Sequence, residues 1–541
     1  MTPRWGFPVR LTPQSLTSTI IVEPTLGLEV SQPSVDAPLG STPSSDNYIM
    51  REGGLEPRPM LSLRQTSPQP MGNIPILGGL EAVDVTGVRS PVISGTTRWG
   101  WYSNGSWSVL SYVSAFGIDN PPAGTNTDYW DMTQIYSDLR DENFVVGGNG
   151  SYQTLYCHQS NTTIFSSLTG APRARYLTPF DNYLLAFNIR EGTSDFVQRV
   201  RWNDRGSISS WTGGLSGFED LLDLRGQGTR ILPLENRIIL FSDAEVWQGF
   251  PVDFPFVFRF QPLDRSLGCP YSWTAATTPL GIMFLGKDYQ VYLLSKSGGP
   301  AQPIGQRLHR EIRTTIDQPQ RSFAVYDNTF GQYQLYYPIK GGSGRPQRAV
   351  YLDIAGGSWA PQSFDRISGN LSPTRGFEAQ LSSSATTWGG LQAAGIRWAD
   401  LTMSWAELAG ASEERAVFLG SSNGTMYYLN SNATSDNGTP VESRWRSSAL
   451  QGFEPERQKT VTQWRVDYQA DSSSSLTVRF SQNQGASFDL GTRINLPVAS
   501  GLSQSRVDPY VSARYPMFEI TSEAQRYRAF RFYVEMRRGG R

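Results

Sequence analysis

TRILPLENRIILF, residues 229–241, places two runs of β-forming residues on either side of the polar pair Glu235 and Asn236. Apolar runs interrupted by Asp, Asn or Gly are typical of a β-hairpin. The same pattern recurs in residues 182–189 (NYLLAFNI), 280–294 (LGIMFLGKDYQVYLL), 323–337 (FAVYDNTFGQYQLYY), 349–359 (AVYLDIAGGSW) and 416–429 (AVFLGSSNGTMYYL). The chain is therefore predicted to be built from hairpins.

The spacing of these hairpins favours one architecture. They recur at irregular intervals of roughly 45 to 60 residues, which suits the four-stranded blades of a β-propeller, because one blade must stack on its neighbours to cover both faces. An array of β-sandwiches would also supply strands, but a sandwich takes about 100 residues. We therefore predict an all-β fold with a propeller of about five to seven blades in residues 66–440.

The two ends of the chain differ from this middle region. Residues 1–65 are rich in Pro, Ser and Thr, which leaves open a disordered arm or an extended segment that adds strands to another domain or subunit. Residues 441–541 show strict alternation in two sets, Trp464, Val466 and Tyr468, and Phe530, Phe532 and Val534. The C-terminal region is predicted to form an antiparallel β-sandwich or platform domain, with the N-terminal arm pairing with it or with a neighbour. Residues 398–408 (WADLTMSWAEL) are the best candidate for a short helix.

Composition excludes several classes of protein. The 541 residues include 53 Gly, 35 Pro and 12% aromatic residues, with a net charge of −1. Turn-rich, aromatic-rich chains favour short strands, and near-neutrality argues against a dedicated nucleic-acid binder. Only four of the 47 basic residues are lysines, and the abundant arginines suit carboxylate pairing and aromatic stacking at interfaces.

Cysteine and histidine are scarce. Cys157 and Cys269 lack CxxC spacing, so buried free thiols are expected, and His158 and His309 are too few for a histidine-rich metal site. Any Ser-His-Asp arrangement would need one of these two histidines, and neither lies in a catalytic motif. No apolar run approaches the roughly 20 residues that span a bilayer, and no secretion signal is recognised. We predict no catalytic residue, cofactor or metal.

One local motif is sharper than the rest. Residues 481–488 (SQNQGASF) fit the Asp-box hairpin pattern S-x-D/N-x-G-x-S/T-W/F. Asn483 tolerates left-handed geometry and bonds its own backbone, Gly485 takes positive φ, and Phe488 is expected to plug the turn into the core. The motif predicts a structural turn.

Other candidates are weighed against simpler interpretations. A glycosidase needs two carboxylates about 5 to 10 Å apart, but solvated loops or arginine partners are favoured for the acidic clusters. Aromatic residues close together can stack on sugars, but packing between blades is favoured for them. A glycine-rich segment lacks the Lys-Ser/Thr of a phosphate loop and is interpreted as a turn. These candidates are the acidic clusters Glu219, Asp220 with Asp223 and Glu413 with Glu414, the aromatics Trp99, Trp101, Tyr102 and Trp107, and the segment Gly147, Gly148, Asn149 and Gly150.

Three stretches resemble bacteriophage tail proteins, in particular nozzle or hub proteins of short-tailed phages. They are residues 45–60 (SDNYIMREGGLEPRPM), 199–211 (RVRWNDRGSISSW) and 218–247 (FEDLLDLRGQGTRILPLENRIILFSDAEVW). The matching positions are Gly54, Leu55, Arg58 and Pro59; Arg199, Val200, Trp202, Asn203, Asp204 and Trp211; and Ile231, Leu234, Ile238, Leu240, Phe241, Val246 and Trp247.

The resemblance implies a non-enzymatic, structural virion protein. It implies a homo-hexameric ring below the portal and adaptor, assembled in the bacterial host cytoplasm, that contacts tail spike, fibre or needle proteins. Viral DNA would pass through without specific binding, as a near-neutral chain permits. Two alternatives stay open, a propeller glycosidase and a receptor- or carbohydrate-binding tail protein.

Overall fold

The structure is a computed structural model that describes residues 17–64, 71–85, 87–103, 106–113, 124–158, 163–252, 256–364, 372–381, 415–452, 457–488 and 491–538. Strands dominate this part of the chain, so the predicted all-β fold is confirmed. A short helix, α1 (His309–Thr315), was not predicted. The helix predicted at 398–408 and the pair Glu413 and Glu414 lie outside the described residues.

The chain divides into two units. The sandwich unit comprises Met1–Arg58, Ser358–Ala360 and Glu442–Arg541, and the propeller unit comprises Pro59–Gly357 and Pro361–Val441. None of the helices in the described residues is long and apolar enough to cross a membrane.

The N-terminal strands are short and separated by turns. They are β1 (Thr17–Val22), β2 (Gly27–Leu28), β3 (Ser41–Thr42), β4 (Ser45–Asp46), β5 (Tyr48–Arg51), β6 (Gly54–Pro57) and β7 (Met60–Leu63).

Seven four-stranded blades follow one another in the described part of the chain, within the predicted range of five to seven. Blade 1 contains β8 (Ile76–Val83), β9 (Arg89–Gly95), β10 (Trp99–Ser103) and β11 (Ser106–Tyr112), and blade 2 contains β12 (Asp131–Ser137), β13 (Glu142–Gly148), β14 (Leu155–His158) and β15 (Ile164–Ser167). Blade 3 contains β16 (Arg173–Phe180), β17 (Tyr183–Glu191), β18 (Ser194–Trp202) and β19 (Gly217–Asp220), and blade 4 contains β20 (Gly228–Leu234), β21 (Arg237–Ser242), β22 (Val246–Pro251) and β23 (Phe258–Asp264).

The last three blades follow in the same order. Blade 5 contains β24 (Ala276–Thr278), β25 (Gly281–Leu285), β26 (Val291–Ser295) and β27 (Gln302–Pro303), and blade 6 contains β28 (Phe323–Asp327), β29 (Gln332–Pro338), β30 (Pro346–Asp353) and β31 (Ser358–Ser363). Blade 7 contains β32 (Pro373–Gln380), β33 (Arg415–Ser421) and β34 (Met426–Asn430), and takes β7 as its fourth strand. The predicted hairpins therefore correspond to adjacent strands within blades, except that residues 182–189 lie almost entirely in the single strand β17.

The ring closes through pairing of chain segments far apart in sequence. β7 pairs with β34, with Leu61 opposite Leu429. The first strand of each blade is its inner strand: β8 contacts β12 and β32, β12 contacts β16, β16 contacts β20, and β28 contacts β24 and β32. Inner strands thus meet around one axis, while the outer strands β11 and β15 pair in parallel.

Apolar side chains fill the spaces between blades. Phe144 of blade 2 and Leu184 of blade 3 belong to one buried cluster, and Phe241 of blade 4 joins Phe284 of blade 5 in another. Stacking of this kind buries the two faces that one blade leaves uncovered.

The C-terminal strands complete the structure. They are β35 (Ser435–Asp436), β36 (Thr439–Pro440), β37 (Glu442–Arg446), β38 (Lys459–Ala470), β39 (Ser474–Ser481), β40 (Thr492–Leu496), β41 (Ala499–Val507), β42 (Val511–Ala513), β43 (Met517–Glu523) and β44 (Arg528–Arg538). One sheet has the order β41-β38-β44-β6-β5, with β1 beside β44 and β42 beside β38, and the second has the order β4-β37-β43-β39-β40. Strands from the N-terminal segment therefore lie in both sheets.

Aromatic residues form the core between these two sheets. Trp464 of β38 lies 5.8 Å from Phe518 of β43, and Trp445 of β37 lies 5.6 Å from Phe532 of β44, measured between ring centres. The alternation predicted for β44 holds for Phe532 but not for Phe530, which is only half-buried. A β-bulge places Arg531 opposite Asp467 and Ala529 opposite Tyr468, so Phe530 is the extra residue.

Candidate functional site

A polar pocket lies where inner strands of the propeller unit begin. Its cavity volume is about 380 Å³, within the usual range for a small-molecule site. Five consecutive blades, 2 to 6, or the turns that lead into them, contribute to the walls. The lining residues, which define the axial pocket, are Thr127, Asp128, Tyr129, Asn149, Arg175, Tyr176, Asn188, Gln227, Gly228, Thr229, Pro270, Ser272, Trp273, Gln320 and Arg321.

Two buried polar atoms of this wall have no hydrogen-bond partner among the described residues. They are Nδ2 of Asn149 and Oγ1 of Thr229, and both residues are only 4% exposed. Asn149 Oδ1 accepts hydrogen bonds from the amides of Ser151 and Tyr152, at 3.0 and 2.8 Å, which fixes the side chain in a turn. Buried polar groups are nearly always paired, and both residues belong to the lining of the axial pocket.

Three inner strands carry an arginine at their third position. These residues are Arg175 on β16, Arg230 on β20 and Arg375 on β32. A β-bulge precedes Arg230 and another precedes Arg375, at Thr229 and Thr374 respectively. Bulges re-aim side chains and are frequent beside functional sites. The two bulged strands bring their guanidinium groups to the same tryptophan ring.

That ring belongs to Trp273, just before β24. The Arg375 guanidinium carbon lies 3.7 Å from its ring centre, and that of Arg230 lies 4.8 Å away. Arg230 Nη1 is 2.6 Å from Oδ1 of the buried Asp131, whose Oδ2 accepts the amide of Leu177 at 2.9 Å. Cation–π contact holds both arginines in place, and Asp131 neutralises only one of them.

Arg375 has no ion pair with any carboxylate in the described residues. Burial, followed by repulsion from Arg230, lowers its pKa from the usual value. Burial and the neighbouring positive charge therefore both disfavour the charged form of the Arg375 guanidinium. An anion bound nearby would remove that cost.

More positive charge surrounds Tyr129. Burial raises the pKa of this phenol, while Arg375, Arg321 and Arg345 act in the opposite direction. Burial, then repulsion from Arg321, lowers the pKa of Arg345. Tyr176 is also buried, which raises its pKa, and its hydroxyl lies 2.8 Å from Ser272 Oγ. Both tyrosines are neutral hydrogen-bonding groups at pH 7.

The predicted acidic cluster lies elsewhere, on the outer strand of blade 3. Arg199 binds both oxygens of Asp220, at 2.7 and 2.8 Å, and also lies 2.9 Å from Glu191. Arg199 lowers the pKa of Asp220, whereas burial raises that of Glu219. Arginine pairing of Asp220, the interpretation favoured from the sequence, is what the structure shows.

The tryptophan-rich stretch packs inside the propeller unit, as the sequence favoured. Trp99 is fully buried, stacks on Phe165 at 5.4 Å and meets Trp130 edge to face at 5.8 Å. Tyr102 and Trp107 pack against each other at 5.1 Å in the cluster shared by blades 7 and 1. None of these rings lines the axial pocket.

The Asp-box segment forms a turn in the sandwich unit. Asn483 Oδ1 accepts the Ser487 amide at 2.8 Å, and Ser481 Oγ accepts the Gly485 amide at 2.8 Å. The left-handed residues are Gln484 and Gly485, with φ of 60° and 83°, rather than Asn483, which is left to cap the turn with its side chain. Phe488 is half-buried, 4.7 Å below the Arg446 guanidinium.

Other predicted positions also have structural roles. Cys157 and Cys269 are buried free thiols, as predicted, and burial raises the pKa of Cys269 to about 12. His158 Nδ1 lies 3.1 Å from Glu142 Oε2, and His309 Nε2 lies 2.9 Å from the Asp288 carbonyl. No group of His, Cys, Asp and Glu within the described ranges could hold a metal ion.

Sequence reasoning missed most of the axial pocket. The segment containing Asn149 was interpreted only as a turn, and the turn is correct, but Asn149 also belongs to the lining of the pocket. A signal was present in the pairs Thr229-Arg230 and Thr374-Arg375, which repeat at the start of two inner strands. The tail-protein motif residues Arg199, Val200 and Trp202 lie on β18, and Ile231, Leu234, Ile238, Leu240, Phe241, Val246 and Trp247 lie on β20 to β22.

Comparison with known proteins finds no family but several solved structures that are similar over most of this chain. No protein-family model matches the sequence, and no curated protein matches it. An exo-β-1,3-galactanase of Phanerochaete chrysosporium is 9% identical, with 84% of this chain and 95% of that chain covered and a TM-score of 0.27. The Pan2 WD40 domain of Neurospora crassa is 9% identical, with 70% and 96% covered and a TM-score of 0.36.

A third structure is the extracellular domain of a hybrid two-component system from B. thetaiotaomicron. It is 8% identical, with 84% of this chain and 49% of that chain covered and a TM-score of 0.41. The strand pairing of the chain itself, with four-stranded blades around one axis, makes it a β-propeller protein.

One prediction is corrected by these comparisons. The chain was predicted not to be an enzyme, but three of the similar structures are of an exo-β-1,3-galactanase, which is a glycosidase. The prediction of a non-enzymatic protein, which came from the tail-protein resemblance and the lack of a catalytic motif, is therefore wrong. Carboxylates that act on sugars need no motif that can be recognised by spacing.

Proposed function

We propose that the axial pocket binds a saccharide, which makes this chain a carbohydrate-binding β-propeller. The observation that carries the proposal is a cavity wall made mainly of amides, hydroxyls and guanidinium groups, in which Asn149 Nδ2 and Thr229 Oγ1 have no hydrogen-bond partner among the described residues. Sugar hydroxyls both donate and accept hydrogen bonds, so they can satisfy a wall of this kind. A site that leaves its own polar groups unpaired when empty discriminates strongly for a ligand that pairs them.

Several neighbours of these atoms fit the same ligand class. Gln227 and Gln320 offer planar amides, and Tyr129 offers a half-buried ring face of the kind on which a sugar can stack. Asp128 is the carboxylate of the lining, and it accepts from the Thr125 amide at 2.7 Å without an arginine partner among the described residues. The pocket therefore has donors, acceptors and an aromatic surface within one cavity.

The test is binding of a panel of neutral and acidic oligosaccharides to the purified full chain, with a search for cleavage products in the same tubes. Asn149→Asp keeps the oxygen that caps the turn and removes the unpaired donor, so binding should fall at least tenfold. Asn495→Asp, on the exposed face of β40, makes the same change of charge and should bind as the wild type does. Absence of binding to every sugar, or equal loss in both variants, would refute the proposal.

Cleavage in that experiment would identify a glycosidase. Asp128→Asn should then abolish cleavage while leaving the sugar bound. Release of sugar products that persists in Asp128→Asn would place the reaction outside the axial pocket.

We also propose that the chain assembles as a ring in a phage tail, as the sequence resemblance implies. The supporting observation is β41, the end strand of its sheet: Leu502 on this strand is 65% exposed, and Val498 and Tyr510 in the flanking segments are 64% and 72% exposed. Edge strands with exposed apolar residues are ready to pair with another chain. Electron microscopy of this chain mixed with portal and adaptor rings should show six copies at the axis. A position off the tail axis would refute this role.

A further inference from the structure

The charge around the axial pocket is strongly unbalanced. Among the described residues that line the pocket or surround its aromatic rings, Asp128 and Asp131 are the carboxylates. Against them stand Arg175 and Arg321 in the wall, Arg230 and Arg375 on the Trp273 ring, and Arg345 near Tyr129. Five positive charges thus face two negative ones, although the whole chain is near neutral.

Among these arginines Arg230 is paired with Asp131, whereas Arg321 and Arg375 are held in place without an ion pair in the described residues. Arg321 Nη1 donates to the Gly344 carbonyl at 2.7 Å, a contact that orients the guanidinium and leaves its charge uncompensated. Arg375 is fixed by stacking on Trp273, and Arg230 Nε has no hydrogen-bond partner in the described part of the chain. Guanidinium groups fixed in this way are suited to pair with a planar or tetrahedral oxyanion.

We infer that the axial pocket selects acidic saccharides, and that Arg175 and Arg321 bind the carboxylate or sulfate group while Arg230 and Arg375 add positive potential from the Trp273 side. This inference rests on the proposed saccharide site and adds its ligand class. Asn149 and Thr229 would then hold sugar hydroxyls. These roles are assigned by position, because Arg175 and Arg321 line the cavity directly.

The pocket also explains why a near-neutral chain can bind an anion. Low-dielectric walls focus the field of a few fixed charges inside a cleft. Binding that depends on this field weakens as salt rises, because exposed charges are screened over about 8 to 10 Å at physiological ionic strength.

The test uses the full chain and calorimetric titration with matched oligosaccharides, each in a neutral form, a form with a C6 carboxylate and a form with a 6-O-sulfate. The carboxylate or sulfate form should bind at least tenfold more tightly than the neutral form, and this ratio should fall as salt rises. If both acidic forms bind more tightly than the neutral form, the site accepts either oxyanion. If only one of them does, the site is specific for that acidic group.

Variants distinguish binding of the acidic group in the axial pocket from nonspecific attraction to positive charge elsewhere on the protein. Arg321→Gln and Arg175→Gln should each reduce the acidic-to-neutral ratio severalfold. Arg205→Gln is the control, because Arg205 is an exposed propeller arginine paired with Asp181 at 2.7 Å, and it should keep the wild-type ratio. Thermal unfolding of each variant confirms that it is folded.

The outcomes distinguish the two proposals. Equal binding of neutral and acidic forms would overturn the acidic preference and leave the saccharide site intact. A preference that survives in Arg321→Gln and Arg175→Gln would also overturn it. If inorganic sulfate binds and no oligosaccharide does, both proposals fail.

Discussion

Arg199 on the outer part of blade 3 and Arg375 on the inner strand of blade 7 each stack a guanidinium on an aromatic ring at 3.7 Å, on Phe196 and Trp273 respectively. Arg199 is also paired with Asp220 and Glu191. Arg375 has no such partner within the described residues and lies beside another arginine. The comparison teaches that an internally neutralised arginine supports structure, whereas one left unpaired beside a cavity is available to a ligand.

The largest expected effect comes from removing the inner carboxylate. Asp131→Asn would leave Arg230 and Arg375 without a negative charge, which should lower the free energy of unfolding by about 3 kcal/mol. Asp220→Asn, the matched change in the outer cluster, should cost only about 0.5 kcal/mol, because that pair is partly exposed. Chemical denaturation of both variants measures the difference. Equal costs would show that the two clusters are energetically alike.

Removing the arginines should separate binding from stability. Arg375→Gln should weaken binding of an acidic oligosaccharide about tenfold, the equivalent of about 1.4 kcal/mol, with the melting temperature unchanged or raised. Arg199→Gln should lower the melting temperature, because it leaves Asp220 without its arginine while Glu191 keeps only Arg201, and should leave binding unchanged. Titration and thermal scans on the same samples give both quantities. A loss of binding in Arg199→Gln would contradict the assignment.

The two bulge threonines provide a finer comparison. Thr374 Oγ1 donates to a backbone carbonyl, with the Gly420 oxygen at 2.9 Å, so Thr374→Val should cost about 1 kcal/mol. Thr229 Oγ1 is unpaired, so Thr229→Val should change the unfolding free energy by less than about 0.5 kcal/mol while weakening sugar binding. Denaturation curves and titrations test both statements. A costly Thr229→Val would mean that its hydroxyl already has a partner.

The smallest expected effect is a pH dependence of the outer pair. Arg199 lowers the folded-state pKa of Asp220, so its contribution to stability is present above about pH 4. That contribution is lost as pH falls through the lowered pKa. The stability difference between the wild type and Asp220→Asn should therefore vanish in acid. A stability difference that grows on acidification would contradict a lowered pKa of Asp220 in the folded state.

Much of the fold could be predicted because hairpins are local. Residues 229–241 contain β20, its turn and β21 almost completely, and the same holds for residues 323–337. Pairing between strands that are far apart in the sequence was harder to predict. The closure of blade 7 by β7 depends on strands whose sequence separation exceeds 360 residues, and no local pattern encodes that partner.

The site was harder to predict than the fold. Arg230 and Arg375 are 145 positions apart and meet only because two blades share an axis and a tryptophan. Asn149 occupies a turn whose sequence explains its backbone geometry fully, so nothing in the sequence signalled its unpaired amide. Phe530 was misplaced for a related reason, since a bulge depends on the partner strand.

The most direct test of the central claim is a crystal structure of the full chain with an acidic oligosaccharide bound. The sugar should lie in the axial pocket, with its acidic group within hydrogen-bond distance of Arg175 or Arg321 and a hydroxyl beside Asn149 Nδ2 or Thr229 Oγ1. Sugar bound elsewhere on the chain, with the axial pocket holding only water, would contradict the account.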